Sequence, residues 1–318
     1  MAADVKPGWS KPSTILFAAE FPASEKAFAF ALSQASEFGA ELILFHVFDR
    51  FQLPRVDSAP IQGGEYAAVR AAKSRFEDLC RRAKDLGVRC KVIIRKGLPA
   101  EQILAYLRER PIDRVVMGAH SPGPVGKLLV GSVAEAVLRN AHVPVCIVGP
   151  HVVDSSFRNL KERKVLCDVS QTQARRAVAN FGAELAVGHN ASLILHRVIS
   201  PQERDEILTY RTIDQLESEL PPLLASEAHR KRLRTRVVFG DPIEELLYQG
   251  RSQQVHLIVL GAQGASQFAA VSRAGTVYKI LAYAQCPVIV LSQALLAEFG
   301  NTEIQPRSTE VHYVAGVI

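Results

Sequence analysis

The sequence predicts an α/β protein built from two domains of one fold, each a five-stranded parallel sheet with helices on both faces. The first observation behind this is a long internal repeat. "KGLPAEQILAYLRERPIDRVVMGAHS", Lys96 to Ser121, matches "FGDPIEELLYQGRSQQVHLIVLGAQG", Phe239 to Gly264, at a constant offset of 143. It pairs Gly97 with Gly240, Pro99 with Pro242 and Gly118 with Gly261. The offset persists for "VPVCIV" over "CPVIVL" and becomes 150 or 151 earlier in the chain, where "STILFA" lies over "RKVLCD" and "AELILFHV" over "ASLILHRV". A period this long marks a duplicated domain and not a solenoid of short units. The second observation is that each copy alternates between short apolar runs and helix-period stretches, the pattern of a parallel sheet covered on both sides.

Taken in order, the first copy has strands at Thr14 to Ala19, Glu41 to Val47, Val88 to Arg95, Asp113 to Gly118 and Val143 to Val148. Helices fill the intervals at Ser24 to Phe38, Glu65 to Leu86, Pro99 to Arg108 and Ser132 to Asn140. Punctuation agrees with these limits. Gly39 and its counterpart Asn190 stand where the first helix of each copy ends, and both types tolerate a left-handed residue. Pro99 and Pro242 open helices, where no N–H is missed. The expected domains are residues 13–150 and 161–292, with 293–318 as a tail that ends in an added edge strand or a disordered end.

Composition limits the function classes. With 318 residues, 48% hydrophobic and 22% charged, the chain can bury two cores of ordinary size. No apolar run reaches the roughly 18 to 20 residues of a membrane helix, and "MAADVKPGWSKPS" lacks the core of a signal peptide. A cytoplasmic protein without membrane contact is expected. Cys80, Cys90, Cys146, Cys167 and Cys286 are an odd set with no C-x-x-C pair, so they are expected to be reduced and neither metal ligands nor staples. The net charge of +6 is mild. The basic runs "RRAKDLGVRCK" and "HRKRLRTR" fall at helix ends, where the dipole favours cations, and have no interleaved aromatics to stack on bases. Nucleic acid is therefore not an expected partner.

The chemistry concentrates in "VVMGAHSPGPVGKLLVGSVAEAV", where a strand runs through a glycine-containing turn into a helix. The form G-x2-G-x9-G-[ST], with the final "CPV" strand and the doubling, resembles the universal stress protein family in its tandem members. The resemblance spans about Ser13 to Ser292. It implies a flavodoxin-like α/β sandwich of the adenine nucleotide hydrolase-like kind, and pairing of copies through the last strand about a pseudo-two-fold axis. "VPVCIV" and "CPVIVL" would lie at that junction or at a homodimer contact. In some members it also implies an adenine nucleotide, usually ATP. The same resemblance places ATP or AMP, with Mg²⁺ as a companion of the phosphates, in the first copy. Val47 would back the adenine and Glu20 would meet the ribose. Met117, Gly118, position 121, Gly131, Ser132 and the Val133 amide would hold the phosphates.

Departures from the family pattern weigh against this. Ser121 stands for the second motif glycine, Pro122 and Pro124 each remove an N–H donor, and Glu20 stands for an Asp. A weaker second site would use Val198, Gly261, Gly264, Gly275 and Thr276. There the acid position is Ser170 unless Asp168 is recruited, and the third glycine is Ala274 unless one inserted residue restores Gly275–Thr276. Ser132 and Glu135 also have the spacing of a capping box, a purely structural use of the serine. "SPGPVGKL" fails as a P-loop, and no G-x-G-x-x-G, G-x-S-x-G or H-E-x-x-H is present. No enzyme activity is expected; a slow ATPase is a third reading with little support, because neither turn places a residue as a general base. The expected function is stress-response regulation or protection with nucleotide binding. The alternative is a nucleotide-free dimeric scaffold acting through protein contacts, with the protein partner unnamed.

Overall fold

The computed structural model describes residues 7–20, 25–48, 55–56, 59–60, 64–119, 131–154, 162–170, 174–262 and 275–301. The first copy runs α1 (Pro7–Ser10), β1 (Thr14–Ala18), α2 (Glu25–Phe38), β2 (Glu41–Phe48), β3 (Arg55–Val56), β4 (Ala59–Pro60), α3 (Gly64–Asp85) and β5 (Cys90–Lys96). It continues with α4 (Pro99–Glu109), β6 (Arg114–Gly118), α5 (Ser132–Asn140) and β7 (Val145–Val148). The second copy runs β8 (Lys164–Asp168), α6 (Arg175–Gly188), β9 (Ser192–Ile199), α7 (Pro201–Tyr210), α8 (Ile213–Ser218) and β10 (Leu233–Phe239). It closes with α9 (Pro242–Ser252), β11 (Leu257–Gly261), α10 (Thr276–Tyr283), β12 (Val288–Leu291) and α11 (Gln293–Asn301).

The two copies share one ten-stranded sheet of order β10-β9-β8-β11-β12-β7-β6-β1-β2-β5. Within it every neighbouring pair is parallel except β7 with β12, which run antiparallel and match Val145 with Val290, Cys146 with Ile289 and Ile147 with Val288. Alternating residues of each strand feed two apolar layers. Ile15 and Phe17 go to one layer with Phe28 and Phe30. Leu16 and Ala18 go to the other with Tyr106 and Leu138. Each layer draws residues from both copies, so β7 and β12 join two cores as well as two sheets.

The seam is tightened by polar contacts. Ser292 Oγ donates to Ala141 O, Val153 N donates to Gln285 O at 3.1 Å, and the His151 ring stacks on Tyr283 at 6.0 Å. Gly149 is pressed against α10, where an added Cβ would lie 2.5 Å from Leu281 O. Gly149→Val is accordingly expected to destabilise the protein by about 1–3 kcal/mol or more, since a rigid carbonyl must move. Urea midpoints of the two proteins measure this, and an unchanged midpoint would show that the seam yields without strain.

Local expectations meet the structure closely. Gly39 (φ 64°) and Asn190 (φ 50°) take the left-handed conformation after α2 and α6. Pro99 and Pro242 begin α4 and α9, the latter capped by Asp241, whose Oδ1 accepts from Ile243 N and Glu244 N. The cysteines are free thiols, with Cys146, Cys167 and Cys286 buried and Cys80 and Cys90 partly so. Burial holds the Cys146 thiol up at about 12.

Several elements lay outside the sequence-based scheme, among them the short β3–β4 pair. The tail begins as α11, which packs against α5 of the other copy. Its later residues, with "VHYVAGVI", lie outside the described residues. The second copy replaces the long α3 crossover by α7, α8 and two short 3-10 turns, Pro221–Leu223 and Glu227–Arg232. The N-terminal α1 is a strap across the seam. Trp9 is 4% exposed, its carbonyl accepts from Arg114 Nη2 at 2.9 Å, and Ser10 O lies so close to α6 that a Cβ on Gly188 would approach it to 2.8 Å.

Candidate functional site

In the first copy β6, β1 and β2 are neighbours, and the chain leaves β1 toward β2 but returns to its other side as β6. That reversal opens a crevice at the strand C-terminal ends, the usual ligand position of open parallel sheets. Three sequence-selected residues come together there. Ala18 pairs with Phe45 on one side and Met117 on the other, so Glu20, Val47 and Gly118 end adjacent strands within two residues of that register. Glu20 is exposed, Val47 is partly buried against the apolar layer of Leu16 and Ala18, and Met117 is 5% exposed within that layer. Ala19 N donates to Phe45 O at 2.8 Å and His46 Nδ1 lies 2.9 Å from Ala19 O, which fixes the rim beneath Glu20.

The helix after the turn corrects one sequence expectation. Gly131 is the N-cap of α5 (φ −62°, ψ 155°) and Ser132 is already the first helical residue. No capping box forms, because Ser132 is one position too late. Glu135 instead takes Arg139, with Nη2 2.8 Å from Oε1. Among the described residues the first N–H groups of α5 therefore have no side-chain cap, and they carry the positive end of the helix dipole. The exposed Ser132 and the partly buried Val133 stand at that end. Ser121, Pro122 and Pro124 lie outside the described residues, as does Gly264 in the second copy.

The second copy has the same framework with different contents. Gly275 caps α10 as Gly131 caps α5, and Thr276 follows as the first helical residue. The offset is thus 144 at the N-caps, while the C-caps Ala141 and Ala284 differ by 143. Of the two alignments left open, the inserted residue is the one present, and α10 absorbs it by being one residue shorter. Gly261 is required for packing, since a Cβ there would meet Val178 Cγ2 at 2.9 Å and Ala174 Cβ at 3.0 Å.

Ser170, at the acid position, is turned inward. Its Oγ donates to Asp168 Oδ1 and accepts from Val198 N at 2.9 Å, while its own N–H donates to Asp168 Oδ1 at 3.0 Å. Burial pushes the Asp168 carboxyl above its ordinary range, and the Ser170 hydrogen bonds oppose that shift. Asp168 is therefore engaged by its own loop and does not take the place of the missing acid. Val198 is 5% exposed, so both its side chain and its amide are spoken for. Sequence comparison located Ser170; only the fold shows that its hydroxyl ties the ends of β8 and β9 together.

Among the described residues no cluster of His, Cys, Asp or Glu is arranged to hold a metal ion, and no helix is long and apolar enough to cross a membrane.

A duplicated α/β sheet with a switch point in its strand order and a glycine-capped helix after β6 and β11 defines a tandem protein of the flavodoxin-like architecture. Residues 12–149 and 162–292 each match the universal stress protein family, and the chain belongs to that family. A universal stress protein of Methanocaldococcus jannaschii is 28% identical over 123 residues, covering 34% of this chain and 76% of its own. One of Mycobacterium tuberculosis is 28% identical over 186 residues, covering 57% of this chain and 62% of its own. The crystal structure of a universal stress protein from Archaeoglobus fulgidus aligns with a TM-score of 0.69 over 89% of this chain and 97% of that one, at 17% identity, and so shares the fold.

Proposed function

We propose that this chain is a cytoplasmic stress-response protein of regulatory or protective role that binds ATP or AMP in the first copy, without turning it over. The observation that carries the reading is the start of α5 at Gly131, the helix that follows β6, whose neighbours in the sheet are β1 and then β2. Backbone N–H groups there suit phosphate oxygens. Val47 offers a partly buried wall for the base and Glu20 a carboxylate for the ribose, and Mg²⁺ would accompany the phosphates. The second copy is the poorer binder because Ser170 already occupies the Val198 amide.

The test is to denature the purified protein, assay released adenine nucleotide, and titrate refolded protein with labelled ATP. Saturable binding is expected, abolished by Gly131→Trp and weakened far less by Gly275→Trp. No saturation up to about 1 mM would remove the reading. The opposite ranking of the two variants would move the site to the second copy.

The alternative is a nucleotide-free interaction protein, and the inward-turned Ser170 favours it for the second copy. Homodimerisation belongs to either reading as a proposal. It would use surfaces other than β7 and β12, which are consumed within the chain.

A further inference from the structure

Three arginines of the second copy lie together with too few acids around them. Arg175 opens α6, Arg197 lies in β9, and Arg211 follows α7. Glu219 pairs with Arg211 and stands 3.6 Å from Arg197 Nη1, so one carboxylate serves two guanidiniums. Glu203 is near Arg197, but its Oε2 is held by the Ser200 N–H at 3.2 Å and the Ser200 hydroxyl at 2.8 Å. Arg175 has no acceptor among the described residues, and its Nε is fully buried.

This arrangement is unfavourable unless an anion completes it. Arg175 stands at the positive end of a fourteen-residue helix that has no acidic residue in its first turn and no side-chain cap at Ala174. Loss of water first, and the Arg211 charge second, lower the hold of Arg175 on its proton; Arg197 is affected by burial, then Arg175, then Arg211. Strand alternation puts Arg197 on the opposite face of β9 from Val198, so the cluster is separate from the position that corresponds to the first copy's crevice.

We propose that Arg175, Arg197, Arg211 and the first turn of α6 bind a phosphate group, carried by inorganic phosphate or by a small phosphomonoester. Guanidiniums offer paired donors matched to phosphate oxygens, and the helix start adds backbone N–H groups. The inference does not depend on nucleotide binding in the first copy.

Calorimetric titration of the full chain with inorganic phosphate and with glycerol phosphate, against sodium chloride at matched ionic strength, tests it. Saturable binding is expected in the wild type and equally in Gly131→Trp. Arg175→Gln and Arg211→Gln should each weaken it by about tenfold or more, and Arg176→Gln, on the exposed side of the same turn, should leave it unchanged. Tighter binding of the ester would identify a metabolite as the ligand, and equal binding the free ion. Because it removes an unpaired cation, Arg175→Gln should melt no lower than wild type without ligand. Phosphate no better than chloride, binding lost in Gly131→Trp, an equal loss in Arg176→Gln, or a lower ligand-free melting temperature of Arg175→Gln would each overturn the proposal.

Discussion

Acidification from about pH 7 to about pH 5 is expected to destabilise the fold by about 4 kcal/mol. His196 and His256 are 0% and 3% exposed, and burial is the main cause that takes them down to about 4 and about 3. The Arg236 charge adds to the effect at His196; at His256 the neighbouring His189 does, against a partly compensating hydrogen bond to Lys164 O. A histidine whose folded pKa lies below its unfolded value of about 6.5 contributes stability that is complete above the unfolded pKa and lost as pH falls toward the folded one. Each of the two then loses about 2 kcal/mol by pH 5. His189, also lowered by burial despite Glu37 at 3.2 Å, acts in the same direction. Asp168, pushed up by burial, acts in the opposite direction. Urea unfolding at a series of pH values measures the slope, and His256→Gln should remove about half of it. A flat profile between pH 7 and pH 5 would show that these rings are hydrated or charged in the folded protein.

Arg114→Ala is expected to destabilise by about 2–5 kcal/mol, from two buried oxygens left unpaired and the cavity opened beside them. Arg114 is 0% exposed at the start of β6, and its guanidinium donates to Gln34 Oε1 at 2.6 Å and Trp9 O at 2.9 Å. Neither acceptor is charged, so burial brings the group down to about 10. Truncation leaves both oxygens unpaired in the interior, opens a cavity, and frees the strap from α2. Arg114→Met fills most of the volume and removes the buried charge, so it should cost clearly less than Ala. Thermal unfolding ranks the three proteins, and equal melting temperatures for Ala and wild type would mean that water replaces the guanidinium.

The fold was legible because its signals are local or duplicated. Five apolar runs, two prolines at helix starts and left-handed residues at Gly39 and Asn190 restate the same boundaries in both halves. What escaped notice depends on contacts made across the molecule. Trp9 has no periodic context in its segment, and only the apolar layer it joins and the Arg114 guanidinium give that stretch a place. The α11 segment is placed between Gly261 of its own half and α5 of the other. At the candidate site, the resemblance to the family selected Glu20, Val47 and Gly118, and the register of neighbouring strands brings those strand ends together. Spacing misassigned Ser132 as a cap, because a one-residue shift at a helix start leaves no trace in composition. It was silent on the inward turn of Ser170, which depends on a hydrogen bond to a strand 28 positions away.

The antiparallel match of β7 with β12 has a further consequence. Partners tethered on one polypeptide meet at an effective concentration set by the connecting segment and not by the amount of protein in the cell. Their union therefore survives dilution that would separate two free subunits. It also releases the halves from identity: a substitution such as serine at position 170 alters one half alone, whereas in a pair of identical chains it would appear in both. Covalent joining thus lets one half specialise while the other keeps the inherited surface.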